Sequence, residues 1–499
     1  MATLVEALHG GPMAFGNRLT SKLLRLNQKR AAESGAGGIM ITTLVLTEPL
    51  FQEIEQTARL PVETAGVLLA GIARAPNGDI RLLGRGMRWV PQEAYLAREG
   101  DHLAIASQGY VPALAEAERI GAIPIWFHTH PGAIGHPTPS IADRKVDREI
   151  ADLFRLRSGS ELYVTLIASP RDNGIAFTGE VHWEDGGKVA IDRVWHVGDK
   201  WQLINSFNSE APQIPAVFDR SVRAFGPDIQ QTLGALRVGI VGCGGTGSAV
   251  AEQLVRLGVR HLTLIDADTL TESNVTRVYG STPAAVGKPK TAVLQSHLTA
   301  ISPELQSHAV AAMVTLENTA RELIPCDVVF GCTDDNAGRL VLSRLSTFLA
   351  TPVIDLGVLL GGDGALASIN GRVTTLAPGG ACLVCRDRID LARAQTELRT
   401  PEERIRLENE GYAPVLGGVE PAVVTFTTSI ASAAINELLE RLIGFGPSPR
   451  PTEVLFRWHE REISTNNAKP RPGHYCDPES QKIGKGESNP FLEQAWPGA

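Results

Sequence analysis

Residues 237–270, RVGIVGCGGTGSAVAEQLVRLGVRHLTLIDADTL, constrain the fold of this chain more than any other stretch. Residues 238–241 are a short apolar run, 242–247 a glycine-rich break, 249–257 carry apolar residues at helical spacing, and 261–265 are a second apolar run ending at Asp266. The order is strand, tight turn, helix, strand. Gly242, Gly244 and Gly247 satisfy G-x-G-x-x-G in that setting, with Gly245 inside the same turn. Side chains are missing there so that backbone N–H groups at a helix N-terminus can approach phosphate. Asp266 then stands where a ribose hydroxyl would be bound. The pattern says nucleotide, and by itself it fits NAD as well as ATP.

Length and composition bound the remainder. A chain of 499 residues has room for about two to four domains, each able to bury a core. The net charge of -8 supplies no basic field, so no nucleic-acid partner is expected. Six cysteines are too few for a disulfide scaffold in a chain of this length. Cys382 and Cys385 form a C-x-x-C, which in a reducing compartment suggests metal or redox chemistry. There is no apolar run of membrane-spanning length and no secretory h-region, so a cytoplasmic protein without a membrane partner is expected.

Five segments are expected. Residues 1–39 read as a flexible extension, 40–207 as a first α/β domain, 208–216 as a polar linker, 217–468 as a second α/β domain, and 469–499 as a tail, loose apart from any metal ligands. In the first domain, helices are expected at 48–60 and 112–120, and strands at 66–74, 80–90, 123–127 and within 161–198.

The strand at 123–127 delivers the sequence HTHPGAIGHPTPSIAD. His128 and His130 are two apart, so on an extended chain they point to one side. Two imidazoles and a carboxylate around an open fourth position make a catalytic zinc arrangement. H-x-H alone is weak evidence; the later Ser140 and Asp143, in S-x-x-D, and an upstream Glu63, in LPVETAGVLLAG, strengthen it. Together these motifs resemble the JAMM/MPN metalloprotease family, including its prokaryotic members. The resemblance implies that His128, His130 and Asp143 ligate zinc, that Glu63 is the general base, and that Ser140 helps stabilise the oxyanion. It implies a peptidase or isopeptidase acting after the C-terminal glycine of ubiquitin-like proteins, or on small cysteine conjugates. His136 lies outside the pattern and reads as a loop histidine.

In the second half F-D-R at 218–220 precedes a glutamine-containing helix, then GCGGTGS, DADTLTESNVTRVYG, VGKPK and GCTDDNAGR. In order and spacing this is similar to the ThiF/MoeB superfamily, the Rossmann-like adenylating core shared with ubiquitin-activating enzymes. A dehydrogenase accounts for the glycines and Asp266 but for nothing else in this series. Adenylation requires the α-phosphate to be held and its charge neutralised while pyrophosphate leaves. The resemblance implies that Arg277 and Lys290 neutralise the triphosphate of ATP, that Asn274 bonds a phosphate oxygen, that Asp334 holds Mg2+, and that Arg220 reaches the γ-phosphate of the other subunit of a homodimer. Asp268 and Asp335 are weaker choices beside Asp266 and Asp334.

Cys382 and Cys385 stand where this superfamily often has half of a structural four-cysteine zinc site. The second C-x-x-C is missing; Cys476, with His474 two residues before it, is the remaining candidate for a second, structural Zn2+, against a lost site or redox work. Residues 386–418 contain no cysteine to accept an activated partner as a thioester. Both halves resemble machinery for the C-terminal glycine of a ubiquitin-like β-grasp protein. A bifunctional enzyme handling such a partner is expected, with a conjugating enzyme as a further candidate partner. The alternatives are sulfur-carrier activation and adenylation of a short peptide.

Overall fold

The computed structural model describes residues 40–98, 103–133, 135–205, 213–361, 368–399, 402–403, 406 and 421–497. The expected extension at 1–39, most of the 208–216 linker and most of the stretch TPEERIRLENEG lie outside the described residues. No helix among the described residues is long and apolar enough to cross a membrane.

The first unit is a nine-stranded mixed sheet in the order β11-β10-β1-β3-β2-β6-β7-β8-β9. Its strands are β1 (Thr42–Thr47), β2 (Ala65–Arg74), β3 (Ile80–Trp89), β6 (Ile123–Thr129), β7 (Leu162–Arg171), β8 (Gly174–Trp183), β9 (Lys188–Ala190), β10 (Arg193–Val197) and β11 (Trp201–Asn205). A hairpin of β4 (Tyr95–Arg98) and β5 (Leu103–Ile105) stands beside it. Alternation along β2 sends Leu68 and Ala70 into one core with Phe51 and Ile54 of α1 (Glu48–Ala58). It sends Val67 and Leu69 into another, with Leu114 of α2 (Val111–Ile120) and Phe154 of α3 (Ile141–Ser158). Both faces of the sheet are therefore covered.

In the second unit the order β14-β13-β12-β15-β16-β17-β18-β19 joins β12 (Arg237–Val241), β13 (His261–Ile265), β14 (Gln306–Val310), β15 (Val328–Gly331), β16 (Val353–Gly361), β17 (Ser368–Leu376), β18 (Glu453–Arg457) and β19 (Glu462–Asn466). The first five strands are parallel, in the Rossmann order 3-2-1-4-5, and the last three continue antiparallel. The strand expected at EVLFRWH is thus half of a hairpin, with β19 following it. The helices are α4 (Asp219–Phe225), α5 (Pro227–Ala235), α6 (Gly245–Arg256), α7 (Lys290–Ile301), α8 (Glu317–Arg321), α9 (Asn336–Phe348), α10 (Leu391–Glu397) and α11 (Val424–Ile443). β12 lies between β13 and β15, so the chain reverses its winding there, and the crevice at the carboxyl ends of β12 and β15 is where such sheets bind ligands.

The two units share one apolar core. Val45, Leu83, Trp195 and Trp201 of the first cluster with Leu236, Val238 and Phe330 of the second. Polar contacts cross the same seam at the amino ends of the parallel strands. Arg193 reaches both Asp327 oxygens at 3.1 Å, Arg81 stands 3.6 Å from Asp327, Arg81 donates to the Cys326 carbonyl at 2.8 Å, and Arg237 pairs with Asp79. The seam and the ligand crevice therefore occupy opposite ends of the same strands.

Residues 469–497 are not the loose tail that their proline and glycine content suggests. Phe491, Leu492 and Trp496 are buried, and the Arg321 guanidinium lies over the Phe491 ring. The backbone N–H groups of Gly484 and Gly486 donate to Thr347 and Phe348 at the end of α9, while that of Glu487 donates to Ile72 of β2 at 2.7 Å. Gly486 has φ +73°, and a Cβ there would lie 2.2 Å from the Ile72 carbonyl oxygen, so only glycine lets the strap approach. Sparse apolar anchors within a polar, turn-rich composition fix this segment across both units.

Candidate functional site

Three sites emerge from the sequence-derived residues. In the crevice, β12 ends at Gly242, whose φ of +91° turns the chain into α6. A Cβ on Gly247 would lie 1.8 Å from the Gly242 carbonyl oxygen, so the turn closes only with glycine at that position. Gly244 is the N-cap of α6 and Gly245 its first residue, which leaves the helix N-terminus bare of side chains toward the crevice. Asp266 braces this turn: it accepts the Cys243 N–H at 2.6 Å and the Asp268 N–H at 2.8 Å. Burial pushes its carboxyl up from the usual range. Cys243 and the half-buried Cys332 lie beside this turn, while Cys326 is buried at the opposite, amino end of β15, and burial raises each thiol.

The charged series gathers around this turn. The stem of Arg277 lies against Gly245, its guanidinium donates to the Ser273 carbonyl at 2.7 Å, and Lys290 pairs with Asp268 at 2.7 Å. Asn274 is buried and uses its side-chain oxygen to accept the Thr271 N–H at 3.1 Å, which leaves its amide NH2 as the donor end of that side chain. Asp335 caps α9 through the Gly338 N–H, whereas Asp334 is exposed. Arg220 is exposed on α4, and Phe218 before it approaches Gly258 just past the end of α6. A helix of that length spans about 18 Å, so within one chain Arg220 is remote from the glycine turn.

Cys382, Cys385, His474 and Cys476 converge, with ligand atoms all within 4.8 Å of one another. His474 Nδ1 is 3.4 Å from the Cys385 sulfur and 3.3 Å from that of Cys476. A hydrogen bond from Cys476 pulls the Cys382 thiol down to about 5 and pushes Cys476 up. Three sulfurs and one imidazole, mostly buried, are the donor set of a closed structural zinc site.

In the first unit β6 pairs with β2 so that His128 faces Ala65, which sets Glu63 beside the histidines. The Nε2 atoms of His128 and His130 are 3.1 Å apart; Asp143 oxygens lie 3.3 Å and 3.4 Å from them, and Glu63 is 3.8 Å from His130. Burial raises the Asp143 carboxyl, but the hydrogen bonds of both imidazoles outweigh it and hold that group below the usual carboxylate range. The donor set fits a zinc ion with an open position. S-x-x-D has a second role: Ser140 is the N-cap of α3 and forms a capping box with Asp143. Sequence reasoning missed Arg98, which donates to the Glu63 carbonyl at 3.0 Å and to the Thr64 hydroxyl at 2.6 Å; no local signal ties β4 to β2.

The ThiF family model matches residues 218–477, just over half of the chain. The chain belongs to the ThiF family. Its second unit is an adenylyltransferase domain, for which ATP and Mg2+ are the implied substrate and metal. The molybdopterin-synthase adenylyltransferase of Escherichia coli is 33% identical over 237 residues, 47% of this chain and 84% of that protein. The SAMP-activating enzyme E1 of Haloferax volcanii is 29% identical over 32% of this chain and 56% of its own length. The ubiquitin-like modifier-activating enzyme 5 of Dictyostelium discoideum is 32% identical over 42% of this chain and 54% of its own length.

Proposed function

We propose that this ThiF-family chain is a two-site enzyme for a small β-grasp protein ending in glycine. The second unit would adenylate the terminal carboxylate of that partner. The carboxylate attacks the α-phosphate of ATP, an acyl-adenylate forms and pyrophosphate leaves; Arg277 and Lys290 offset the phosphate charge and Asp334 holds Mg2+. Arg220, remote within one chain, would serve the partner subunit's crevice in a homodimer. The first unit would be a JAMM/MPN-type peptidase or isopeptidase that exposes the partner's glycine or releases the partner from its targets. Bound by His128, His130 and Asp143, zinc would supply a Lewis acid for amide hydrolysis. Glu63 then takes the proton of the attacking water, and Ser140, whose oxygen accepts from Asp143 N–H, keeps its O–H to donate to developing charge.

The convergence of Glu63, His128, His130 and Asp143 beside an adenylating domain is the observation that carries this reading. Sulfur-carrier activation is the second reading. It is favoured by the likeness to the molybdopterin-synthase adenylyltransferase and by the lack of cysteine across residues 386–418. The two share the first step and differ in whether the adenylate passes to a sulfur donor or a conjugating enzyme.

Two variants test the assignment on a panel of β-grasp proteins ending in glycine. Asp334→Ala is expected to cut ATP–pyrophosphate exchange about 100-fold or more and to spare cleavage of fusions extended beyond that glycine. Glu63→Ala is expected to abolish cleavage and spare exchange. Exchange that survives Asp334→Ala, or cleavage that survives Glu63→Ala, would overturn the corresponding half.

A further inference from the structure

The turn that presents Asp334 is held by a residue to which the sequence assigns no role. The Asp334 carboxylate meets no hydrogen-bond or ion-pair partner among the described residues, as a metal ligand should. Asp335, next to it, spends its own carboxylate on the Gly338 N–H and the Thr333 hydroxyl. The Ala337 N–H, another orphan donor of the first turn of α9, donates instead to Glu397 Oε2 at 2.8 Å. The Asn336 amide donates to Glu397 Oε1 at 3.4 Å, and its oxygen accepts the Asp390 N–H at 2.9 Å. Asp390 is in turn the N-cap of α10, accepting from Ala392 and Arg393. One carboxylate at the end of α10 thus closes a ring of hydrogen bonds between the two ends of that helix and the start of α9.

The chemistry asks for such a brace. Mg2+ accepts only near-octahedral oxygen geometry, so a ligand displaced by a fraction of an ångström is lost to it. A helix N-terminus with an unsatisfied N–H frays, and Asp334 sits just outside this one, before the Asp335 N-cap. We infer that Glu397 is a positioning residue for adenylation: by binding Ala337 and Asn336 it fixes the first turn of α9 so that Asp334 faces the Mg2+ of bound ATP. The inference rests on the assignment of Asp334 as the Mg2+ ligand. Glu397 acts through its oxygen acceptors; its charge is secondary.

The test is calorimetric titration of the full chain with ATP, with and without added MgCl2. Glu397→Ala is expected to weaken ATP affinity about tenfold with magnesium and to leave it unchanged without, the loss of one hydrogen bond to a charged group. Glu397→Gln keeps an oxygen for the Ala337 N–H, gives up only the long 3.4 Å contact with the Asn336 amide, and is expected to stay within about threefold of the native chain in both conditions. Equal losses in the two variants would assign the effect to charge, and equal weakening with and without magnesium would assign it to general disruption; either result overturns the inference, as does no change. Asp334→Asn separates this from the assignment beneath it. If that variant keeps the native magnesium dependence, the reading of Asp334 falls first; if it loses the dependence while Glu397→Ala keeps it, only the role of Glu397 falls.

Discussion

Asp327→Ala is expected to cost about 3–5 kcal/mol, because it strands buried guanidinium groups without their counter-charge. Asp327 is fully buried, with Arg193 on both of its oxygens and Arg81 3.6 Å away, and it accepts the Arg237 N–H at 2.9 Å. Burial draws the Arg81 guanidinium down to about 10, even with Asp327 beside it. Arginine does not shed its proton in proteins, so without the carboxylate the seam must open or admit water. The loss should appear at the seam rather than inside either sheet. Thermal unfolding of the native chain is expected as one transition through the shared core, and that of the variant as two, with the first unit released earlier. Asp327→Asn keeps an acceptor for the Arg237 N–H and should lose less. A variant that unfolds in one unshifted transition would mean that the shared apolar core, the strap and the remaining seam contacts of Arg81 and Arg237 hold the units together without Asp327.

What the sequence made legible and what it hid divide along physical lines. The strand–turn–helix–strand at 237–270 was readable because glycine, apolar period and Asp266 all act within one short segment. Helices at 48–60 and 112–120 and strands at 66–74, 80–90 and 123–127 were readable from period, to within a residue or two at most ends, whereas β1, β4, β5 and β11 were not expected. The convergence of Glu63 with His128 is long-range, and it reached the page only through resemblance to a family; composition carries no trace of the register that pairs β2 with β6. Arg81, Arg193 and Asp327 left no signal in the sequence, since nothing local distinguishes a buried arginine from an exposed one. Glu397 was hidden for the same reason: its partners lie on another helix. The strap misled most, because apolar anchors at Phe491, Leu492 and Trp496 are too sparse to set a period, and glycines that permit close approach look like glycines that permit disorder.

Removal of the cysteine-bound metal is the other large effect expected. Cys476→Ser removes one of three sulfurs from the Cys382, Cys385, His474, Cys476 set; on the proposal that this set and the His128, His130, Asp143 set each hold zinc, metal analysis is expected to fall by one zinc per chain with the second site retained. Structural zinc contributes on the order of 10–16 kcal/mol of apparent binding free energy in isolated fingers, so its loss can release whatever the knot alone holds. Here that is the strap. Upstream of the knot the chain runs through β18 and β19, and downstream it is held by Gly484, Gly486 and Glu487 bonding to Thr347, Phe348 and Ile72 and by the buried Phe491, Leu492 and Trp496. Without the metal those bonds must hold the strap from one end, against the entropy of some twenty freed residues at about 1–2 kcal/mol each. Trypsin is then expected to cut at Lys482 and Lys485, and amide exchange at Gly484–Glu487 to accelerate, while β6 and its neighbours keep their protection. A strap that stays protected in a variant shown to have lost the zinc would place its stability in Phe491 and Trp496, and would leave the metal holding only the loop at residues 382–385 against residues 474–476.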